Sequence, residues 1–351
     1  MLNLNLFRKS DNLQRRLIPE YLNITGGMSQ YVYTTGRIRG MEKNLLQEAD
    51  FTRFKEISES QEILEFLKKN PSHAEAMKDI NLTCQFQRGL EKHLHLVYQE
   101  LCSFVPEPEL VRAFWTKYDF HNLKVLLRLR FRPNHPEIPA LDKFALSSGT
   151  IDLTQLKEAV DRQDFSNLPP DFSSLLSEIF PLIEQDPHPR EIDNFLNQRF
   201  FRLFSQELTQ YKDCFLEELI VRLIDQFNLR TFLRLKFWPR GDSISLLKKF
   251  LVPGGSLRTD LFLSLFSQPE TALVEELKYT SWESVLRESL EEWGKSGSLA
   301  ILDRFFEEEI LKFTRQGFYI TFGREPLINY IFLKYQEIRK LRVIFAKKRY
   351  S

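Results

Sequence analysis

The feature that most constrains this chain is that it partly repeats itself. Beginning at Asp119 it reads DFHNLKVLLRLRF, and beginning at Asp225 it reads DQFNLRTFLRLKF, so both fit Asp-x-x-Asn-Leu-[Lys/Arg]-x-[Leu/Phe]-Leu-Arg-Leu-[Lys/Arg]-Phe at an offset of 106 residues. A third copy follows the second by 109 residues, with Glu337-Ile338-Arg339-Lys340-Leu341-Arg342 in the place of Asn228 and its successors. About 35 residues before each copy lies a further helix candidate. Ile192-Asp193-Asn194-Phe195-Leu196 and Leu302-Asp303-Arg304-Phe305-Phe306 correspond there, whereas the first copy carries Gln87-Arg88-Gly89-Leu90. The spacing predicts three related units of roughly 107 residues, far longer than the ~33 to 47 residues of the common helical repeats. Each unit has room for three or more helices and a small core, and three of them suggest a body with pseudo-threefold symmetry. The boundaries read as 1–27 for an N-terminal extension, then 28–135, 136–240 and 241–351.

The repeated segment is helical in its pattern. At roughly 100° per residue, Asn122 falls inside the apolar arc with Leu123, Val125, Leu126 and Leu129, while Lys124 and Arg128 project from the far side. The second copy places Asn228 among Leu229, Phe232 and Leu235, with Arg230 and Arg234 pointing away. A buried, unpaired amide costs about 1 to 3 kcal/mol, so Asn122 and Asn228 are expected to be hydrogen-bonded and to fix the register between helices. Asp119 and Asp225, three positions earlier, are placed to bond a neighbouring turn. Asp119, Asn122, Arg128, Asp225, Asn228, Arg234, Glu337 and Arg342 are therefore read as a structural repeat motif. The competing reading, an enzyme using Asp119 and Asp225 as paired acids, requires the two carboxylates to converge.

Helical periodicity extends over nearly the whole chain, and hairpin dipeptides bounded by alternating strands are absent, so the fold class is all-α. Only 13 Gly against 31 Phe in 351 residues favours helices packed through large side chains. Breaks are expected at Gly26-Gly27, Asn70-Pro71, Pro106, Pro133 to Pro139, Pro169-Pro170, Pro187 with Pro189, Pro239 with Gly241, Pro253-Gly254-Gly255 and Gly323 to Pro326. Ser58 followed by Gln61 has capping-box spacing and places a helix start there.

Composition excludes several functions. With 49 Lys+Arg against 48 Asp+Glu the net charge is +1, which argues against the basic footprint of a nucleic-acid binder. The longest charge-free stretch, Tyr21 to Gly36, has 16 residues of mixed polarity, short of the ~20 apolar residues of a bilayer span. The opening MLNLNLFRKSDNLQRR lacks a small-residue cleavage site and does not read as a secretory signal. Cys84, Cys102 and Cys214 form no CxxC pair and suit a reducing compartment. His93 and His95 diverge on a helix, unlike the i, i+4 pair of a zinc site, so no metal is expected. There is no phosphate-binding glycine loop and no nucleophile elbow, so no cofactor is expected either. Phe200, Phe201 and Phe204 follow core spacing rather than forming a stacking platform. The tail holding Arg339, Lys340, Arg342, Lys347, Lys348 and Arg349 reads as a solvated helix end or, in an adaptor protein, as a contact for acidic partners.

Three segments together resemble a known family. Tyr31-Val32-Tyr33 with Gly36-Arg37-Ile38-Arg39-Gly40-Met41-Glu42 and Leu45-Leu46 is similar to the N-terminal segment of the central-stalk C subunits of V-type and A-type ATPases, the counterparts of the eukaryotic d subunit. Asp119 to Phe131 resembles that family's D-x-x-N-[LI]-K-x-x-L-R. Glu325-Pro326 with Tyr330, Lys334, Glu337-Ile338 and Leu341-Arg342-Val343-Ile344 resembles its closing pattern, which also has Glu in the third copy. The resemblance implies a funnel-shaped body of three similar helical domains, without catalysis or cofactor of its own, peripheral on the cytoplasmic side of a membrane. It implies that the D and F shaft subunits and the proteolipid ring are the partners, and that shaft rotation passes through this chain to the ring.

Overall fold

The computed structural model describes residues 29–130, 146–184, 189–237, 242–297 and 299–350. Among them are sixteen α-helices and no strand. The first ten are α1 (Tyr31–Glu42), α2 (Glu48–Glu56), α3 (Ser60–Lys69), α4 (Ala74–Met77), α5 (Phe86–Phe104), α6 (Pro108–Arg130), α7 (Leu153–Arg162), α8 (Pro170–Ile183), α9 (Pro189–Thr209) and α10 (Cys214–Phe237). The remaining six are α11 (Ser243–Phe250), α12 (Thr259–Leu265), α13 (Glu270–Glu276), α14 (Trp282–Ser296), α15 (Leu299–Thr314) and α16 (Glu325–Tyr350). The chain is all-α, as its periodicity predicts.

The three repeated motifs lie in the three longest helices, α6, α10 and α16, which run for 23, 24 and 26 residues. Their beginnings are set by local chemistry. Pro108 occupies the first position of α6, where the missing N–H costs nothing. Asp213 caps α10 by accepting from the N–H groups of Phe215 and Leu216 at 3.0 and 3.1 Å. The breaks at Asn70-Pro71, Pro106, Pro169-Pro170, Pro253 to Gly255 and Gly323 to Pro326 fall between or at the starts of helices. Those at Gly26-Gly27, Pro133 to Pro139, Pro187, and Pro239 with Gly241 lie outside the described residues, as does the 1–27 extension. The helix expected from Ser58 begins at Ser60 instead. Its N-cap position is Glu59, whose side chain makes no cap bond, so an apolar face rather than a capping box sets its start.

Each motif helix forms a hairpin with the helix before it, α5 with α6, α9 with α10 and α15 with α16. Each is then laid against the next hairpin. α6 packs on α9 and α10 on α15, while α16 returns to the first hairpin. Phe114 of α6 marks the closure, since its ring meets Phe204 of α9 edge-on at 5.1 Å and Phe332 of α16 at 5.9 Å. Tyr335 of α16 donates to the carbonyl of Phe114 at 2.8 Å. Phe200, Phe201 and Phe204 pack among the core aromatics, as their spacing predicts.

The core divides differently from one core per unit. Buried apolar residues from Tyr31 to Tyr118 and from Phe201 to Ile344 form one cluster, and those from Phe120 to Leu196 form a second. The reason is that α16 buries its apolar face against α1, α2 and the α5–α6 hairpin, which fuses the two ends of the chain. Among the described residues no helix is long and apolar enough to cross a membrane. Because Phe114 is 3% exposed and joins three hairpins, Phe114→Ala is expected to lower unfolding stability by about 3 to 5 kcal/mol in urea titration, and Phe114→Leu by much less.

Candidate functional site: loop clamps and a charged hub

The motif residues grip loops. Asn122, wholly buried in α6, accepts from the N–H of Leu146 at 2.7 Å and donates to the same residue's carbonyl at 2.8 Å. Asn228 does the same to Val252, both bonds at 2.8 Å. One turn earlier, Asp119 Oδ1 accepts from the N–H groups of Thr150 and Ile151 at 2.8 and 3.0 Å, and Oδ2 from the Thr150 hydroxyl at 2.6 Å. Asp225 accepts from Leu257 N–H at 3.0 Å and from the Ser256 hydroxyl at 2.5 Å. The loops come close enough because Gly149 and Gly255 lack a side chain, and a Cβ at either would collide with the Asp carboxylate. The two carboxylates are thus enclosed by separate loops, with both oxygens engaged. That arrangement locks packing and holds the two carboxylates in separate enclosures rather than as a converging pair. Burial pushes the Asp119 carboxyl up to about 6 against the pull of these hydrogen bonds, and it raises Asp225 in the same way.

The third motif is a variation with charges. Glu337 takes the place of the asparagines and accepts from Leu46 N–H at 2.8 Å, so the third clamp closes on the beginning of the described chain. Lys334 takes the place of the aspartates, is fully buried, and donates to Ser72 Oγ and Glu337 Oε1, both at 2.7 Å. His73 and His93 stack at 4.1 Å beside them, with their Nε2 atoms 3.2 and 3.9 Å from Glu337 Oε1. His73, His93 and Glu337 have the donor types of a zinc site. Lys334 Nζ, however, also lies 3.4 Å from His93 Nε2, so an ammonium already holds the position a cation would take. Burial lowers both imidazoles, which favours their neutral forms. Glu337 is desolvated too, but Lys334 and His73 hold its carboxyl down to about 2.

At their N-termini the three motif helices meet. Glu107 precedes α6, Asp213 caps α10 and Arg324 precedes α16. Arg324 forms a two-pronged pair with Glu107, Nε to Oε2 at 2.6 Å and Nη2 to Oε1 at 2.7 Å, and reaches Asp213 Oδ2 with Nη1 at 2.9 Å. Tyr31 of α1 donates to Glu107 Oε2 at 2.5 Å, and the Tyr211 ring lies 5.0 Å from the guanidinium. Glu107 is partly desolvated, but Arg324 and Tyr31 keep its carboxyl below the ordinary range.

Farther along the motif helices, cations link each of them to a neighbouring helix. Arg128 pairs with Asp193, and Arg234 pairs with Asp303 at 3.1 Å. Arg230 reaches Asp303 at 3.1 Å and Glu307 at 3.4 Å, and Arg339 also pairs with Glu307. Much of the basic tail is engaged internally, since Lys340 pairs with Glu48 and Lys348 donates to the carbonyl of Ile57. Arg342 does not repeat the roles of Arg128 and Arg234. It stands one position short of their register, and its buried Nε and Nη2 have no hydrogen-bond partner.

Asp119, Asn122, Asp225, Asn228 and Glu337 thus sit in clamps, where the motif called for partners without naming them. The partners Leu146, Thr150, Val252 and Ser256 escaped the reading of the sequence, although Leu-Ser-Ser-Gly-Thr-Ile at 146–151 and Val-Pro-Gly-Gly-Ser-Leu at 252–257 continue the offset of 106. The hub of Glu107, Asp213 and Arg324 escaped it too, since only the flanking helix starts offered a signal. The three cysteines are free.

This is an all-helical protein built on three motif helices of similar sequence, clamped and tied at one end. The family model described as ATP synthase (C/AC39) subunit matches residues 34–351, and the chain belongs to that family. Among its relatives, the C subunit of the V-type sodium ATPase of Enterococcus hirae is 26% identical over 75% of this chain and 78% of its own length. The C subunit of the A-type ATP synthase of Thermococcus onnurineus is 25% identical over 90% of this chain and 85% of its own. That of Methanothermobacter thermautotrophicus is 22% identical, with 91% and 84% covered.

The raised Asp119 carboxyl has a definite sign in stability. A folded-state value above the unfolded one, near 3.8, favours the folded state at low pH, and that advantage is lost as pH rises through about 6. Asp119→Asn lacks it, so wild type should gain on the variant by about 2 kcal/mol as pH falls from 6 to 4, read from urea midpoints. A constant difference across that range would show an ordinary surface-like carboxyl.

Proposed function

We propose that this chain is a non-catalytic central-stalk subunit that couples the D and F shaft to the proteolipid ring of an ion-translocating ATPase, on the cytoplasmic face of the membrane. The observation that carries this reading is the hub: one guanidinium joins the N-termini of three motif helices whose first residues are separated by more than a hundred positions of chain. A part that passes torque between two others must resist shear among its own segments. Close-packed helices with buried aromatic seams and clamped loops supply that stiffness. Three homologous units, cut as 28–135, 136–240 and 241–351, are suited to surround a shaft on the inside while facing a ring of identical subunits. The chain's Asp119 and Asp225 are engaged in packing, which supports a role in assembly rather than in chemistry.

The test is reconstitution. Purified chain is expected to show no ATP hydrolysis, to bind both a D–F shaft preparation and the isolated proteolipid ring, and to be required for ATP-driven ion transport by a complex lacking only this subunit. Hydrolysis by the chain alone, or transport that stays coupled without it, would contradict the proposal.

A further inference from the structure

The seam between the first and third motif helices carries charge where the other motif helices carry core residues. With Glu337 in register with Asn122 and Asn228, Arg342 of α16 stands where α6 and α10 have Leu127 and Leu233, both 0% exposed. Lys117 of α6, five residues before Asn122, stands where α10 has Leu223 and α16 has Phe332, both packed against the core. Burial lowers the Lys117 ammonium well below its ordinary value, and the charge of Arg342 nearby lowers it further. Lys117 Nζ lies 2.8 Å from the centre of the Tyr335 ring and 5.0 Å from that of Tyr118. Arg342 keeps Nε and Nη2 buried without an acceptor. Among the described residues, no carboxylate lies within ion-pair distance of either. Lys117 and Arg342 are partly exposed as residues and Val343 beside them is 47% exposed, so the seam lies next to the surface although Nε and Nη2 themselves are buried.

We infer that the Lys117–Arg342 seam seats an acidic side chain of a protein partner in the assembly; this rests on the central-stalk reading above. Nε and Nη2 form the edge of a guanidinium that matches the two oxygens of a carboxylate, and their missing acceptors are what such a group supplies. The other tail cations Arg339, Lys340 and Lys348 are already engaged with Glu307, Glu48 and backbone carbonyls. Charge complementarity thus points to one negative group between the two helices.

The test copies the other repeats. Arg342→Leu and Lys117→Leu install at each site the residue found in register on α10, so both full-length variants are expected to fold with a melting temperature at or above that of wild type. Their affinity for the ATPase complex stripped of this subunit is expected to fall roughly 10- to 100-fold at low salt, and the salt dependence of binding to flatten. Affinity and salt dependence equal to wild type would overturn the inference, as would a lowered melting temperature, which would make the two cations structural. Binding of inorganic phosphate or of anionic phospholipid vesicles by wild type, lost in Arg342→Leu while binding to the stripped complex persists, would overturn the assignment to a protein carboxylate. If wild type itself fails to bind the stripped complex, the central-stalk reading falls, a result distinct from equal binding by wild type and variants.

Discussion

The architecture depends on one cation shared among three helix starts. Arg324 stands before α16 and satisfies Glu107 before α6 and Asp213 at the cap of α10. Removing it would leave two carboxylates, 22% and 6% exposed, facing one another without a counter-charge. Breaking a desolvated pair in this way costs far more than an exposed ion pair contributes. The hub also uses the helix ends sensibly, because carboxylates sit at two helix N-termini where the macrodipole favours negative charge. Arg324 goes against that preference at the start of α16, and the two-pronged bond to Glu107 offsets it.

Beyond their first turns the motif helices must be held to their neighbours by something other than the hub. The Asn clamps do this by giving an exposed loop a partner for both its N–H and its carbonyl. The third clamp shows how far the scheme bends. A Lys–Glu pair replaces Asp–Asn, and the loop it holds lies near the opposite end of the described chain. A carboxylate cannot donate to the carbonyl of Leu46, so the third clamp relies on its ion pair with Lys334 and on contacts with the neutral, buried imidazoles instead. The core follows the same logic, with the two chain ends fused in one cluster.

Much of this was legible in the residues. The 3.6 period gave the helices, and the identity of Asp119 with Asp225 and of Asn122 with Asn228 marked buried polar groups in need of partners. The partners themselves were hidden because they lie in loops, where two or three small residues such as Gly149 and Gly255 carry the information and no periodicity advertises it. The hub was hidden for a different reason. Glu107 and Asp213 keep the offset of 106 but differ in identity, and Arg324 stands two positions out of the third copy's register, so a search for similarity passes over them although their complementarity is what brings them together. Ser58 misled by the converse effect, since local capping chemistry was present but the apolar face of α3 decided where the helix began.

If the hub ties the three motif helices into one mechanical unit, their backbones should open together. Native-state hydrogen exchange on wild type and Arg324→Leu tests this most directly. The account predicts that in wild type the slow amides of residues 108–130, 214–237 and 325–350 exchange through one common opening, and that the substitution lowers protection in all three by a similar amount. Loss of protection confined to residues 325–350, with the other two helices unchanged, would contradict it.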